Sequence, residues 1–376
     1  MQRTKPARHL TVVQLLPALE SGGVERGTLE VGKYLVDHGH RSIVISAGGR
    51  MVEQLQREGS EHLTWDIGRK SLFTLMRYVG RLRRFLRDEK VDILHIRSRM
   101  PGWVGYLAWK GMDANMRPRF VTTVHGMYSV NTYSAIMVKG EKVIAVSDTV
   151  RHYILKNYPG IDADKIITIP RGIDPGSFFQ GYTPPEEWLS AWLTQFPQVL
   201  GKKVLTLPGR ITRLKGHEDF INLIDRLKQN GEPVHGLIVG GAEIKKRPYL
   251  SELKDLVARR KLSGDITFTG QRNDLREIMA VSDIVLSLST KPESFGRTVM
   301  EALSIGIPVV GYDHGGVGEQ LRHLYPQGCT PLGNIDELER VCRSIPAATR
   351  IVPEYRPTTL EELQTATLSV YQSLSE

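Results

Sequence analysis

Most of the devices that hold small or secreted proteins together are missing from this chain. Its 376 residues contain only two cysteines, Cys329 and Cys342. They make neither a disulfide framework nor a metal-ligand spacing, which predicts a reducing compartment, the cytoplasm. No apolar run approaches the roughly 18 residues that span a bilayer. The start, MQRTKPARHLTVVQLLPAL, has a basic front, but its short apolar run continues into SGGVERG and reads as a first strand, not a signal peptide. There is no HExxH and no cluster of histidines, so no metal site is expected. GxGxxG is also missing, which argues against a dinucleotide dehydrogenase. Helix-turn-helix, zinc-finger and RNP-like signatures are lacking as well, so nucleic acid is not an expected partner.

What is present fits a larger α/β protein. The length exceeds that of a usual single domain and predicts two domains. A hydrophobic content of 40% supports ordinary cores, and 36 glycines suit many strand-to-helix turns facing ligand. The net charge of +9 is uneven, with 27 Lys and Arg against 17 Asp and Glu in residues 1–180, and 23 against 24 in the remainder. The basic excess therefore lies in the first half. Ser71 to Lys90 carries Leu72, Leu75, Met76, Val79, Leu82, Phe85 and Leu86 at helical spacing, with Arg77, Arg81, Arg83, Arg84, Arg87 and Lys90 over much of the rest. This reads as a helix whose apolar stripe packs on the core. Its basic face is either solvated or held against anionic lipid headgroups by charge.

The first half alternates short apolar strands with helices. His9–Leu16 is expected to be a strand, followed by Gly22 and Gly23 and a helix from Glu25 to His38. That order puts free backbone N–H groups where an anion can bind, although a Gly-Gly pair equally fits a ligand-free turn. Val91–His95 opens into IRSRMPGW, with Arg97 and Arg99 at a strand's carboxyl end. This suggests either an anionic acceptor or two exposed arginines without partners. Phe120–Val124 ends at His125-Gly126, where His125 is either a packing residue or a ligand contact, and Tyr128 and Tyr133 follow on the acceptor side.

The second half opens at Lys203–Pro208 and runs into GRITRLKGHEDF, where Arg210 and Lys215 stand in one turn before an amphipathic helix, two cations able to clamp a diphosphate. Val234–Val239 ends at Gly240 and Gly241. The segment Pro292 to Glu319, PESFGRTVMEALSIGIPVVGYDHGGVGE, organises the rest. If a helix starts near Arg297, its first N–H groups face a phosphate, with Glu293 and Glu301 at either end to hold hydroxyls.

This segment resembles the E-x7-E region of retaining glycosyltransferases of family GT4, including bacterial lipopolysaccharide-core transferases. PRGIDPGSF resembles the family's turn at the end of its first domain, with Arg171 where asparagine is more usual. The resemblance implies an α/β GT-B fold of two Rossmann-like domains facing each other across a cleft. The expected boundaries are 1–180 on the acceptor side, 181–355 on the donor side, and a terminal helix in 356–376 packing back on the first domain. It implies hexose transfer from a nucleoside-diphosphate sugar, UDP-glucose by default, without a metal or other cofactor. His125, Arg210, Lys215 and Glu293 are the expected catalytic residues. Gly22, Gly23, Gly240, Arg272, Ser294, Phe295, Gly296, Arg297 and Glu301 are expected to bind the donor. Arg272 lies in the loop taken to flank the base. The acceptor is expected to be a lipid-linked saccharide such as lipopolysaccharide core, at the cytoplasmic face of the inner membrane. A soluble sugar or sugar phosphate is the second reading and an inactive nucleotide-sugar-binding scaffold the third.

Overall fold

The structure, a computed structural model, describes residues 8–20 and 22–376. It divides into two units: one runs to Pro170 and includes Glu361–Glu376, and the other is Arg171–Leu360. The division falls before residue 180 because Ile173 already belongs to the second unit. Its amide donates to Thr358 O at 3.0 Å, it forms a parallel bridge with Thr359, and Phe178 and Tyr182 pack on the same core.

The first unit is built on a parallel sheet of β1 Thr11–Leu15, β2 Arg41–Ser46, β3 Glu61–Thr64, β4 Ile93–Ile96, β5 Arg119–Val124, β6 Lys142–Ala145 and β7 Ile166–Thr168. Their order is β3-β2-β1-β4-β5-β6-β7. Strands such as TVVQL and ILHI are apolar nearly throughout because parallel sheets are covered on both faces. Alternate residues separate into two cores. Val13, Leu15, Leu94 and Phe120 point one way. Val12, Ile93 and Val121 point the other, against Leu363, Leu368 and Tyr371 of helix Leu360–Ser375. His95, 1% exposed, interrupts the apolar run. It is satisfied by Tyr371 OH at 2.6 Å and Thr123 Oγ1 at 2.7 Å, and burial pushes its pKa well below the usual value, so it is neutral.

The second unit repeats the plan with β8 Lys203–Pro208, β9 Val234–Val239, β10 Ile266–Gly270, β11 Ile284–Ser287, β12 Val309–Tyr312 and β13 Cys329–Thr330. These run parallel in the order β10-β9-β8-β11-β12-β13. In both sheets the chain starts in the middle, builds outward on one side, and crosses back to build on the other. The crossings leave a switch point between β1 and β4 and another between β8 and β11, where ligands gather beyond the carboxyl ends of the strands.

Helix Leu72–Asp88 corrects one expectation. Ser71 caps it by accepting from Thr74 N at 3.1 Å, and its buried face is Thr74, Tyr78, Leu82 and Leu86. Trp65 fixes this rotation by stacking on Tyr78 and meeting Phe85 edge-on. The apolar stripe is therefore not all taken up by the core: Leu72, Phe73 and Met76 remain 70%, 65% and 67% exposed.

Candidate functional site

In the second unit the chemistry-bearing residues converge at the switch point. The loop after β8 carries Lys215 and Gly216 to the start of helix His217–Gln229. It is held against the loop after β11, where Thr290 N donates to Leu214 O at 2.9 Å. This docking brings Lys215 Nζ to 2.7 Å from Glu293 Oε1, with both side chains about one-third exposed. Ser289 Oγ donates to the same oxygen. Glu293 is pinned through its backbone as well, its carbonyl accepting from Gly316 N at 2.7 Å in a parallel bridge to Gly315. Next to the pair, His217 is 1% exposed. Burial lowers its pKa to about 4, so it adds no charge near neutral pH.

Helix Arg297–Ser304 starts where the sequence places it, with Gly296, in the left-handed region, as an N-cap that has no side chain to cap its first N–H groups. A second uncapped helix, Gly315–Leu324, starts beside it, since Gly296 and Gly316 approach Val317 and Phe295 respectively. Arg297 Nε pairs with Glu301 Oε1 at 2.9 Å, and Glu301 is 6% exposed. Ser294 lies in the loop between Glu293 and Gly296, whereas the Phe295 side chain is buried in the core with Val299 and Val317. Only the backbone of Phe295 is left to meet a ligand.

Arg210 is not brought to Lys215. It pairs with Glu243 at 3.1 Å on the surface, where both side chains are mostly exposed, and such a pair is weak enough to yield to a phosphate. At Gly240, an added Cβ would lie 1.9 Å from Gly209 O. A side chain is excluded there because the turns after β8 and β9 touch. Arg272 makes a two-pronged pair with Asp274. With Pro185, Trp188, Gln271 and Asn273 the two line a cavity of about 560 Å³.

In the first unit, helix Gly23–Asp37 begins at Gly22 with no side-chain cap, and Glu25 lies in its first turn. His125 directly follows β5. Arg97 departs from expectation: it is 4% exposed. Its Nη1 donates to Gln14 Oε1 at 2.9 Å, and Gln14 Nε2 in turn donates to Thr28 O at 3.1 Å. The chain β4–β1–helix braces the glycine turn from beneath. Gln14 went unnoticed in the sequence, although a lone amide within TVVQL is a visible signal. Ser289 was missed because a serine at the end of VLSLS looks like ordinary loop chemistry. The triplet Asp162-Ala163-Asp164 has the DxD form associated with metals, but Asp162 Oδ1 accepts from Asp164 N at 3.0 Å to cap a short turn. Among the described residues no group of three His, Cys, Asp or Glu is placed to hold a metal ion. No helix among them is long and apolar enough to cross a membrane.

Two Rossmann-ordered parallel units, with cations, carboxylates and open helix N-termini at a switch point, define the class of GT-B enzymes. Residues 21–177 match Glycosyltransferase Family 4 and residues 192–345 match Glycosyl transferases group 1. The chain belongs to this GT4/group 1 glycosyltransferase family. It is 26% identical over 330 residues to N-acetyl-alpha-D-glucosaminyl L-malate synthase of Bacillus anthracis, covering 82% of this chain and 79% of that protein. A glycosyltransferase from Rickettsia africae superposes with a TM-score of 0.82 at 29% identity, covering 97% of this chain and 98% of the other. Anabaena Alr3699/HepE, solved with UDP and glucose, shares the fold with a TM-score of 0.77 at 20% identity, covering 97% of this chain and all of that one.

Proposed function

We propose that the protein is a retaining hexosyltransferase that moves a sugar from a nucleoside diphosphate, UDP favoured, to a soluble small-molecule acceptor. The observation that carries the reading is the Lys215–Glu293–Ser289 constellation across the β8/β11 switch point. Glu293 would contact sugar hydroxyls near C3, and Glu301 the ribose hydroxyls. The amides from Ser294 to Arg297 would hold the diphosphate. Lys215, with Arg210 released from Glu243, would offset the charge that builds on the leaving group, so the reading requires no metal. Gly22, Gly23 and His125 belong to the other unit; His125 would hydrogen-bond the transferred sugar. Gly240 would shape the turn, and Arg272 would flank the base. With Glu301 on ribose, the two carboxylates do not flank the anomeric carbon as in a two-carboxylate glycosidase. We therefore favour same-face departure and attack, with the leaving phosphate accepting the acceptor's proton. The soluble acceptor is supported by the B. anthracis relative, whose name specifies L-malate. Stabilisation of the protein by one nucleotide sugar in a panel, without added metal, tests the reading.

A second reading, a lipid-linked acceptor at the cytoplasmic face of a membrane, is favoured by the exposed Leu72, Phe73 and Met76. Arg69, Lys70 and Arg77, also exposed, flank this apolar tip. Insertion would add to the attraction of about 1 kcal/mol per basic residue at an anionic surface. The expected result is that Phe73→Ser with Met76→Ser lowers affinity for phosphatidylserine vesicles at least tenfold in a sedimentation assay. Equal sedimentation of wild type and variant would remove this reading.

A further inference from the structure

We infer that Ser289 is a positioning residue that sets which sugar the donor site accepts. It holds Glu293 by one carboxylate oxygen and goes on holding it when Lys215 turns to the diphosphate, so that the other oxygen meets the sugar from one fixed direction. The inference rests on the glycosyltransferase reading and concerns how that site tells one hexose from another.

Both donors to Glu293 reach the same atom. Lys215 Nζ lies 2.7 Å from Oε1, and Ser289 Oγ donates to Oε1 as well. Among the described residues no group donates to Oε2. A carboxylate pinned in this way presents one acceptor oxygen, in one orientation, to a sugar hydroxyl.

The two partners differ in how firmly they are placed. Ser289 is 7% exposed, and its hydroxyl turns about a single bond. Its backbone is fixed on both sides. The Leu288 side chain is fully buried, a Cβ on Gly216 would collide with Leu288 O, and Thr290 N donates to Leu214 O. Lys215 reaches Oε1 through a flexible four-carbon stem, and its side chain is 31% exposed. They also differ in charge. A diphosphate attracts the ammonium strongly, whereas a neutral hydroxyl has no such reason to leave the carboxylate. Without Ser289, the arrival of the donor therefore frees the Glu293 carboxylate about its terminal bond, whose rotation is broad, at the moment when the sugar has to be recognised. Closing the loop does not require this hydroxyl, because the Glu293 O–Gly316 N and Thr290 N–Leu214 O bonds already hold it. A site that hydrogen-bonds a substrate hydroxyl rejects analogues that do not supply it in place.

The test compares UDP, UDP-glucose and UDP-galactose; the two sugars differ only in configuration at C4, next to C3. Dissociation constants are measured by calorimetry for wild type, Ser289→Ala and Ser289→Thr. The wild-type protein is expected to separate the two UDP-sugars by about tenfold or more. Ser289→Ala should bring them within about threefold of one another while its Kd for UDP stays within about twofold of wild type, and Ser289→Thr, which keeps the hydroxyl, should restore the separation. Because Lys215 no longer holds Glu293 in the complex, Ser289→Ala should weaken the preferred UDP-sugar by the same factor in a Lys215→Ala background as in wild type. The inference is overturned by a wild type that does not separate the sugars, by a Ser289→Ala variant that keeps the wild-type separation, or by one that loses UDP and UDP-sugar affinity in equal measure. A factor that grows severalfold in the Lys215→Ala background would show that Lys215 stays on Glu293, against the hand-over. Failure of the wild-type protein to bind UDP at all would instead contradict the donor assignment, so the two failures are distinguishable.

Discussion

Replacement of Lys215 by alanine is expected to lower kcat for sugar transfer by a hundredfold or more while leaving the fold intact. Lys215 is the cation fixed nearest to Glu293, at 2.7 Å, and its loop is locked to the β11 loop by the Thr290–Leu214 hydrogen bond. A fixed charge aimed at a developing anion is typically worth about 10²–10³ in rate. Its contribution to stability is small by comparison. The pair is about one-third exposed, and exposed pairs contribute about 1 kcal/mol or less. Glu293 also keeps Ser289 as a donor. Single-turnover kinetics alongside a melting curve separate the two effects. A variant that melts normally and transfers within threefold of wild type would show that Lys215 does not serve the leaving group. Arg210 should matter less in the same assay, because it must first leave Glu243.

Gly316→Ala should produce a large structural effect for a single methyl group. A Cβ at this position would lie 2.5 Å from both Phe295 Cα and Phe295 N, and these are backbone atoms that cannot rotate away. To relieve the clash, the start of helix Gly315–Leu324 must separate from the Glu293–Gly296 loop. That movement breaks the Gly316 N–Glu293 O hydrogen bond and displaces the backbone proposed to hold the diphosphate. Overpacking of this kind costs about 1–3 kcal/mol. For a unit of this size that lowers the melting temperature by several degrees, at about 2–4 °C per kcal/mol. Donor affinity should fall with it. Gly264→Ala is the control, since nothing lies within 4 Å of its added Cβ, and it should leave both quantities unchanged. Equal melting of the two variants would mean that the two helix starts are not packed as described.

Particular residues explain which parts were readable in advance. The strands were, because parallel sheets demand apolar runs such as VHGLIV, and because glycine turns follow several of them, as AGG follows RSIVIS. The start of helix Arg297–Ser304 was legible from Gly296, which takes a left-handed conformation as its N-cap. Long-range pairing was not. Nothing in the local sequence says that Arg97 will be covered and hydrogen-bonded to Gln14, 83 positions away. The same holds for Arg210 and Glu243, 33 positions apart. Helical spacing identified the apolar residues of Leu72–Asp88 but not their rotation. Trp65, from outside the helix, selected the Thr74–Tyr78–Leu82 face and left Phe73 and Met76 in solvent. Phe295 looked like a ligand contact from its neighbours in ESFGR, yet the core between the two helix starts needed an apolar side chain and took it. In each case the spacing of residues along the chain was sufficient for elements and insufficient for partners.

The central claim is that the β8/β11 switch point binds a nucleoside-diphosphate sugar. The most direct measurement is the thermal stability of the protein titrated with UDP-, GDP- and ADP-sugars in the absence of added metal. A ligand that binds only the folded state raises stability by about 2.7 kcal/mol at a hundredfold excess over Kd. Such stabilisation is expected from one donor, with little from nucleotides of the wrong base. It should disappear in Glu301→Ala, which removes the 6%-exposed carboxylate next to the open helix end. Failure of every nucleotide sugar to stabilise the wild-type protein, or full stabilisation of the Glu301→Ala variant, would contradict the site as assigned.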